Sequence, residues 1–404
     1  MRALSRRSMM ADNPIEEEGD LAEQLARSGH KVLSLNRGDP TAYFPTPSYL
    51  LREFVSAIKK GYTGYSYPTG IIELREAISA RYKRAYKADV TPDKITVTQG
   101  VSEAITFLNS IFINQGDHAV IARPYYPLYV PALRVSGGSP IFADSDWESG
   151  AGIDMDSLRR KLNSSRARGA KYMLFSNPSN PTGTVMGRKV LEELANLCND
   201  NDIFLISDEI YDEIVYRGVK FTSVCEVARG IPHAILSGAS KSFDATGFRI
   251  GYAALPEDDA WSEAVRDRLE AFARMRLSSS TPAQYAFAKA ISNVAEHRKS
   301  LSRMVAQMED RARFAHGLVN KSRYMHASMP KGAFYILAKI FMEKLDFRDD
   351  KDIEKGLLLE EGIQVARGSG FGAPGSMRIV ALAPKDILGL AIRKIDKFFE
   401  KHSK

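Results

Sequence analysis

Cysteine is scarce in this chain of 404 residues, which contains only Cys198 and Cys225. Two cysteines cannot form the disulfide framework of a small secreted domain, and they suit a reducing compartment. None of the seven histidines has a second histidine four residues away, as a helical metal site needs. The sequence therefore predicts a cytoplasmic protein that holds no metal ion.

Long apolar runs are also missing, since no stretch approaches the roughly 20 residues needed to cross a bilayer. The formal net charge of +7 is spread along the chain, without the basic stripe that a nucleic-acid surface needs. We expect no membrane and no nucleic-acid partner. Arg2, Arg6 and Arg7 precede no apolar core of a secretory signal. A short tail is expected there, and an organellar presequence is the alternative.

Short apolar runs alternate with helical stretches between about residues 62 and 254. The predicted strands comprise residues 95–98, 119–122, 141–143, 172–176, 204–207, 235–236 and 250–254. Such alternation predicts an α/β fold in which helices cover both faces of a mixed, mostly parallel sheet.

The pattern changes after Pro282. A helical stretch to about residue 318 precedes two strand-like segments, a helix near residues 352–360 and a closing helix. We interpret these as a smaller α/β domain that an N-terminal helix, residues 14–29, and the segment after it also join. The predicted division is an N-terminal segment 1–60, a large domain 61–282 and a small domain 283–404.

Lys241 is the residue with the most informative surroundings. It lies among small residues, just after an apolar strand and eight positions before Arg249. Small neighbours leave room for a flat ligand, and a confined lysine titrates lower and becomes nucleophilic. A solvated surface lysine is the ordinary alternative.

Other polar groups follow predicted strands. Asp208 ends the apolar run 203–206, at the edge where open α/β sheets bind ligands. Residues 100–102 open a helix, so their backbone N–H groups form a natural phosphate cradle. Asn180 lies in a rigid turn with two prolines and Gly183, which is a common structure by itself.

Residues 237–252 resemble the cofactor-lysine signature of the class I and II aminotransferases, the fold-type I pyridoxal-phosphate enzymes, and the likeness is to their aspartate and alanine types. The other motifs follow in the family's order from about residue 33 to the end of the chain. The resemblance implies pyridoxal 5'-phosphate as cofactor, amino acids and 2-oxo acids as substrates, and a homodimer with shared active sites. Asp244 departs from the family, which has a small or apolar residue there. Its carboxylate either turns away from the cofactor or alters the pocket.

The resemblance implies a role for each site residue. Lys241 forms the Schiff base and carries the substrate proton, Arg249 binds the cofactor phosphate, and Asp208 pairs with the ring nitrogen. Tyr211 and Asn180 bond the phenolic oxygen of the cofactor.

Further positions follow from the same resemblance. Gly100, Val101 and Ser102 hold the phosphate, and Tyr65 reaches the phosphate of the neighbouring subunit. Tyr126 stacks on the cofactor ring, although an aromatic filling the core is its ordinary interpretation.

Substrate recognition is implied for three residues. Arg378 and Asn180 bind the α-carboxylate, and the backbone of Gly38 contacts it as well. A dicarboxylate acceptor needs a further cation, for which Arg37 is the first candidate. Arg274 and Arg276 are the alternatives, and each of these arginines is ordinarily a solvated surface residue.

The leading hypothesis is ping-pong transamination from alanine or aspartate to 2-oxoglutarate. Another pyridoxal-phosphate reaction, such as β-elimination or a synthase reaction, is the alternative, because a fold does not fix a reaction. A regulator fused to a DNA-binding module is set aside, because only about thirty residues precede the first motif.

Overall fold

The computed structural model describes residues 5–11, 14–164 and 169–404. In chain order, its strands are β1 (Leu33–Ser34), β2 (Ile95–Thr98), β3 (His118–Arg123), β4 (Ser139–Asp144), β5 (Tyr172–Ser176), β6 (Phe204–Asp208), β7 (His233–Gly238), β8 (Gly251–Ala254), β9 (Met325–His326), β10 (Tyr335–Ile340), β11 (Ile363–Gln364), β12 (Ala366–Arg367) and β13 (Ser376–Val380). The seven strands predicted in the first two thirds of the chain are present, within a few residues of the expected limits.

The helices occupy most of the segments between these strands. They are α1 (Pro14–Arg27), α2 (Ser48–Lys59), α3 (Ile72–Tyr86), α4 (Val101–Phe112), α5 (Tyr129–Val135), α6 (Met155–Leu162), α7 (Arg188–Asn199), α8 (Ala260–Arg276), α9 (Thr281–Ser292), α10 (Val294–Val319), α11 (Asp350–Glu361) and α12 (Lys385–Lys401).

The helical stretch expected to continue to residue 318 is divided at Asn293. This residue ends α9 and caps α10, because its side chain accepts a hydrogen bond from the backbone N–H of Glu296. Asparagine is among the preferred N-cap residues, since its short side chain satisfies a free N–H group of the first turn. The expected helical stretch is thus present, as two helices that meet at Asn293.

Seven strands form the large sheet, in the order β2-β8-β7-β6-β5-β3-β4. The neighbours from β7 through β6, β5 and β3 to β4 pair in parallel, whereas β8 pairs antiparallel with both β7 and β2. The carboxyl ends of the parallel strands therefore meet at one edge, where ligands bind in open α/β sheets.

Side chains of the central strands alternate between two apolar clusters. In β5, Tyr172 and Leu174 pack with α4, α5 and α8, whereas Met173 and Phe175 face a cluster that contains α3, α6, α7 and α9. Successive side chains of a strand point to opposite faces, so a sheet covered on both faces needs continuously apolar strands. The predicted fold class is confirmed.

A second body of structure combines the two ends of the chain. The strands β12, β13, β10 and β9 form an antiparallel sheet, and β1 pairs in parallel with β11. Leu33 lies opposite Ile363 in that pair. The N-terminal segment thus joins the C-terminal part, while the domain limits at residues 60 and 282 stay predictions.

The basic start of the chain is described only in part. Arg2 lies outside the described residues, and Arg6–Met10 form a 3-10 helix. Among the residues that the structure describes, no helix has both the length and the apolar surface required to cross a bilayer.

Candidate active site

A cavity of about 650 Å³ opens at the carboxyl ends of the parallel strands. The expected site residues that line it are Gly38, Val101, Ser102, Tyr126, Asn180, Asp208, Tyr211, Lys241, Arg249 and Arg378. Residues that were predicted from separate motifs are therefore brought together in one place.

Lys241 enters the cavity from the loop after β7. Its Nζ donates a hydrogen bond of 2.6 Å to the carbonyl oxygen of Gly38. Burial lowers the pKa of this amine, as do the charges of Arg378 and Arg249, whereas the charges of Asp39 and Asp208 raise it, and the resulting pKa is about 8. A substantial fraction of Lys241 is therefore neutral, and so nucleophilic, near neutral pH.

Asp208 ends β6 on the floor of the cavity. Its Oδ2 accepts a hydrogen bond of 2.6 Å from the Tyr129 hydroxyl, and its Oδ1 accepts one of 3.2 Å from the backbone N–H of Ile210. Burial raises the pKa of Asp208 to about 6 in spite of these bonds. The carboxyl is thus placed to hold a negative charge against a cationic partner. Tyr129 was missed, although it lies in the aromatic segment that contains Tyr126.

Tyr211 follows Asp208 by three residues and is buried. Its hydroxyl lies 2.7 Å from the hydroxyl of Tyr335, which belongs to β10. Tyr335 also lines the cavity, and it was not predicted. In the sequence it is one apolar residue of a buried strand, so no local signal marked its hydroxyl.

The start of α4 forms the opposite wall. Gly100 precedes the helix with a φ of 76°, and a Cβ atom at this position would collide with the guanidinium of Arg249. Arg249 donates hydrogen bonds to the carbonyl oxygens of Thr246, at 3.0 Å, and Gln99, at 3.3 Å. The helix N-terminus and the exposed arginine together make an anion-binding surface.

Arg378 presents a guanidinium that is almost completely buried. One terminal nitrogen donates to Oδ1 of Asn180 at 3.1 Å, and the other donates to the carbonyl oxygen of Asn36 at 2.5 Å. Rings of Tyr335 and Phe371 lie 4.8 and 4.5 Å from the guanidinium carbon. Its Nε–H has no protein acceptor. A buried donor of this kind fits the binding of a carboxylate.

Tyr126 and Tyr65 differ in their position. Tyr126 is half-buried and lines the cavity, with its ring edge-on to Tyr129. Tyr65 is 84% exposed and does not line the cavity of its own chain. The structure therefore does not unite Tyr65 with the other site residues within one subunit.

The three arginines considered as the second cation differ in their position relative to the cavity. Arg37 is exposed and lines the cavity next to Gly38. Arg276 is instead held by Glu103, at 2.6 Å, and by two backbone carbonyls, while Arg274 pairs with Glu270. Neither Arg274 nor Arg276 lines the cavity of its own chain, and both guanidinium groups already bind carboxylates. A role for either one near a subunit interface stays a prediction.

Asp244 does not line the cavity. It is buried with a φ of 47°, and its Oδ1 has no hydrogen-bond partner. Burial and the charge of Asp39 raise the pKa of Asp244 to about 8, although the charge of Lys241 lowers it. Of the two possibilities that its carboxylate left open, the structure supports the one in which it does not line the pocket.

Within the described parts of the chain, no cluster of three or more His, Cys, Asp or Glu side chains is arranged to hold a metal ion.

Comparison with known proteins agrees with this geometry. Residues 30–392 match the aminotransferase class I and II family. An aspartate aminotransferase of Bacillus subtilis is 30% identical over 386 residues, which cover 95% of each chain. A glutamate-pyruvate aminotransferase of Escherichia coli is 30% identical over 93% of this chain and 92% of its own.

Solved structures give the same result. The alanine aminotransferase of Pyrococcus furiosus superimposes with a TM-score of 0.94 at 31% identity, over 99% of this chain and all of its own. The aspartate aminotransferase of Thermus thermophilus with maleate has a TM-score of 0.90 at 29% identity, over 98% of this chain and all of its own. The chain therefore belongs to the class I and II aminotransferases, which are pyridoxal-phosphate-dependent enzymes, and the predicted resemblance is confirmed.

Proposed function

We propose that this enzyme moves the amino group of alanine or aspartate to 2-oxoglutarate in a ping-pong reaction. The observation that carries the proposal is the buried guanidinium of Arg378, which faces the same cavity as Lys241 and keeps a free Nε–H donor. An amino acid that binds Arg378 by its α-carboxylate presents its Cα within the cavity that holds the amine of Lys241.

The cavity fits pyridoxal phosphate. Arg249 and the start of α4 suit its phosphate, and a side chain at Gly100 would fill the space between them. Asp208 suits the ring nitrogen, because a protonated ring would stabilise its charge. When bound, pyridoxal phosphate supplies an electron sink for the electron pair at the substrate Cα.

Lys241 holds and moves the proton in the proposed reaction. With a pKa of about 8, its Nζ accepts a proton from the substrate Cα near neutral pH and can return it to a second atom. Tyr211 and Asn180 orient the bound molecules from either side, through the hydroxyl and the amide that face the cavity. Tyr126 is proposed to cover the ring face, and Gly38 to contact the substrate carboxylate.

Arg37 is proposed to bind the distal carboxylate of 2-oxoglutarate. It lines the cavity, and guanidinium is suited to carboxylate geometry. The relative from Thermus thermophilus was solved with maleate, a dicarboxylate. The relative from Escherichia coli is named a glutamate-pyruvate aminotransferase, and loss of the amino group converts glutamate to 2-oxoglutarate.

The working unit is proposed to be a homodimer. Leu51, Val55 and Ile58 expose an apolar face of α2, and Tyr65 extends into solvent nearby in the sequence. A second copy of the chain would cover this face and would let Tyr65 serve the partner's phosphate site. Sedimentation at micromolar concentration should give a dimer, and an active monomer would contradict the proposal.

A cytoplasmic location is proposed as well. Cys198 and Cys225 are buried free thiols, and burial raises the pKa of both. Unpaired thiols suit a reducing compartment.

The test of the reaction is a half-reaction, in which the loaded enzyme is given one amino acid and no acceptor. Transamination converts the bound cofactor once, and absorbance then stops changing until a 2-oxo acid is added. A lyase or a synthase would instead continue to turn over or would leave the cofactor unconverted, and either result would refute the proposal. Alanine and aspartate should react fastest among the twenty amino acids.

A further inference from the structure

His297 does not line the cavity, yet it contacts both chain segments that carry Lys241 and Tyr211. Its ring stacks on Phe243 with centroids 3.9 Å apart and planes inclined by 6°. Its Nε2 lies 3.0 Å from Oε2 of Glu213. Phe243 follows Lys241 by two residues, and Glu213 follows Tyr211 by two. One buried imidazole at the start of α10 therefore holds both segments.

Both ring nitrogens of His297 are occupied. Although burial raises the pKa of Glu213, the charge of Arg81 and the hydrogen bond from His297 lower it to about 2. Glu213 is therefore ionised, so Nε2 of His297 carries the proton and donates. Nδ1 lies 3.1 Å from the hydroxyl of Tyr49, which can donate to it. The stacking on Phe243 and the bond to Glu213 join the ring to the two segments of the cavity, whereas the bond to Tyr49 reaches α2, of which no residue lines the cavity.

The segment after Tyr211 is also held from α3. Arg81 donates to Oδ2 of Asp212 at 2.6 Å and lies 3.3 Å from Oε2 of Glu213. The Tyr86 hydroxyl donates to the same Asp212 oxygen at 2.6 Å. This segment is therefore clamped between α3 on one side and α10 on the other.

The backbone of the sheet does not set the positions of Lys241 and Tyr211. The last pair of residues between β6 and β7 is Asp208 with Leu236, and both side chains belong to loops beyond it. Backbone bonds from Ile214 N–H to the Tyr211 carbonyl and from Asp244 N–H to the Lys241 carbonyl order each loop separately. The spacing between the loops, 6.0 Å from Nζ to the centre of the tyrosine ring, therefore also depends on side-chain contacts that join them. Only ordered groups keep such a distance constant.

We propose that His297 is a positioning residue, which sets the spacing between Lys241 and Tyr211 through its contacts with Phe243 and Glu213. The inference rests on the proposed function for its catalytic consequence, but not for its geometry. Displacement of a reacting group by about 1 Å can cost about 100-fold in rate. Loss of the His297 contacts should therefore reduce kcat more than it raises KM.

The experiment compares variants of the full chain. His297→Phe keeps the stacked ring and loses both hydrogen bonds, whereas His297→Gln can still donate to Glu213. Tyr49→Phe is the matched control, because it removes only the outer hydroxyl. The first readout is kcat and KM of the loaded enzyme. The second is the pH dependence of the reaction of Lys241 with acetic anhydride. The cofactor is removed before labelling, and the extent of labelling is measured by mass spectrometry.

For His297→Phe we expect kcat to fall by at least about 10-fold with KM within about 2-fold of the parent. The labelling midpoint of Lys241 should move upward from about 8, because a loosened loop lets water reach the amine. His297→Gln should recover part of both values, and Tyr49→Phe should change neither. The same upward shift is expected even if the enzyme catalyses another reaction.

A purely structural role gives a different result. In that case the melting temperature of His297→Phe falls while the labelling midpoint and kcat of the folded protein stay at the parent values, and the proposal is overturned. If His297→Phe does not fold, His297→Gln decides the question by the same two readouts. If the parent enzyme is inactive in transamination but the labelling midpoint of Lys241 shifts in His297→Phe, the proposed function is refuted and the positioning role is supported.

Discussion

Lys241 is bonded to Gly38, a residue 203 positions earlier in the chain, through a hydrogen bond of 2.6 Å from Nζ to the carbonyl oxygen. The neighbouring Asn36 carbonyl accepts from Arg378. The amine and the guanidinium that we propose to act on the substrate thus hold the same short backbone segment, which follows β1. Binding at either group therefore takes place beside this segment, so substrate binding and the position of the segment are linked.

Substitution of Lys241 by alanine should separate binding of the cofactor from catalysis. We expect Lys241→Ala to fold and to retain pyridoxal phosphate, because Arg249, Asp208 and the helix start at Gly100 remain. The transamination rate should fall by about 100-fold to 10,000-fold, since the proton-transfer group is lost. Bound cofactor is measured by absorbance after gel filtration, and the rate is measured in the half-reaction. Lys385→Ala, which removes a surface ion pair with Asp310, is the control. Full activity of Lys241→Ala would end the assignment of this residue.

Asp208→Asn should make the cofactor-free protein more stable while it removes activity. Burial raises the pKa of Asp208 from 3.8 to about 6. The folded state therefore favours the protonated carboxyl. The contribution of this carboxyl to the free energy of unfolding is complete below pH 3.8 and is lost as the pH rises through 6. An asparagine of the same shape does not ionise, so it avoids the loss.

The gain in free energy of unfolding from Asp208→Asn should be small at pH 4 and approach about 3 kcal/mol at pH 7.5. Urea denaturation of the cofactor-free chain at several pH values measures it. Asp267→Asn, at an exposed position of α8, is the control for the loss of a carboxyl group. Equal stability of Asp208→Asn and the parent at pH 7.5 would contradict the pKa of about 6.

Arg378→Lys should weaken every substrate together. A lysine cannot reproduce the two-pronged geometry of a guanidinium, and it leaves Asn180 or Asn36 without a donor. We expect kcat/KM to fall by about 10-fold to 100-fold for alanine, aspartate and their oxo acids, which corresponds to roughly 1–3 kcal/mol. The ratio between substrates should stay constant, because all share the α-carboxylate. A selective loss of one substrate would show that Arg378 binds another group.

Several parts of the site could be predicted because the signal was local. Lys241, Asp208 and Gly100 each follow an apolar strand directly, and the carboxyl ends of parallel strands meet at one edge of a sheet. The strands themselves were evident as continuous apolar runs, since helices cover both faces.

Other parts of the site could not be predicted because they depend on contacts between distant segments. Tyr335 reaches Tyr211 from β10, 124 residues away, and Asn36 reaches Arg378 across 342 residues. The contacts of Arg276 are another example. Its partners, Glu103 and the carbonyl oxygen of Pro68, lie more than 170 residues earlier in the chain, so its sequence neighbours said nothing about its availability.

The choice of acceptor depends on Arg37, which lines the cavity beside Gly38. Pyruvate and 2-oxoglutarate share the α-carboxylate that Arg378 is proposed to bind, and only 2-oxoglutarate has a second carboxylate to pair with Arg37. Arg37→Ala should therefore lower kcat/KM for 2-oxoglutarate by about 10-fold and leave pyruvate within about 2-fold, since an exposed charge pair contributes up to about 1 kcal/mol and a bidentate one somewhat more. The measurement is the rate at which each acceptor restores the original absorbance after the enzyme has been loaded with amino groups. Arg274→Ala, which removes a guanidinium outside the cavity, is the matched control and should affect neither acceptor.

If pyruvate is far faster than 2-oxoglutarate in the parent enzyme, the dicarboxylate preference is wrong. If Arg37→Ala slows both acceptors equally, Arg37 is an ordinary surface arginine.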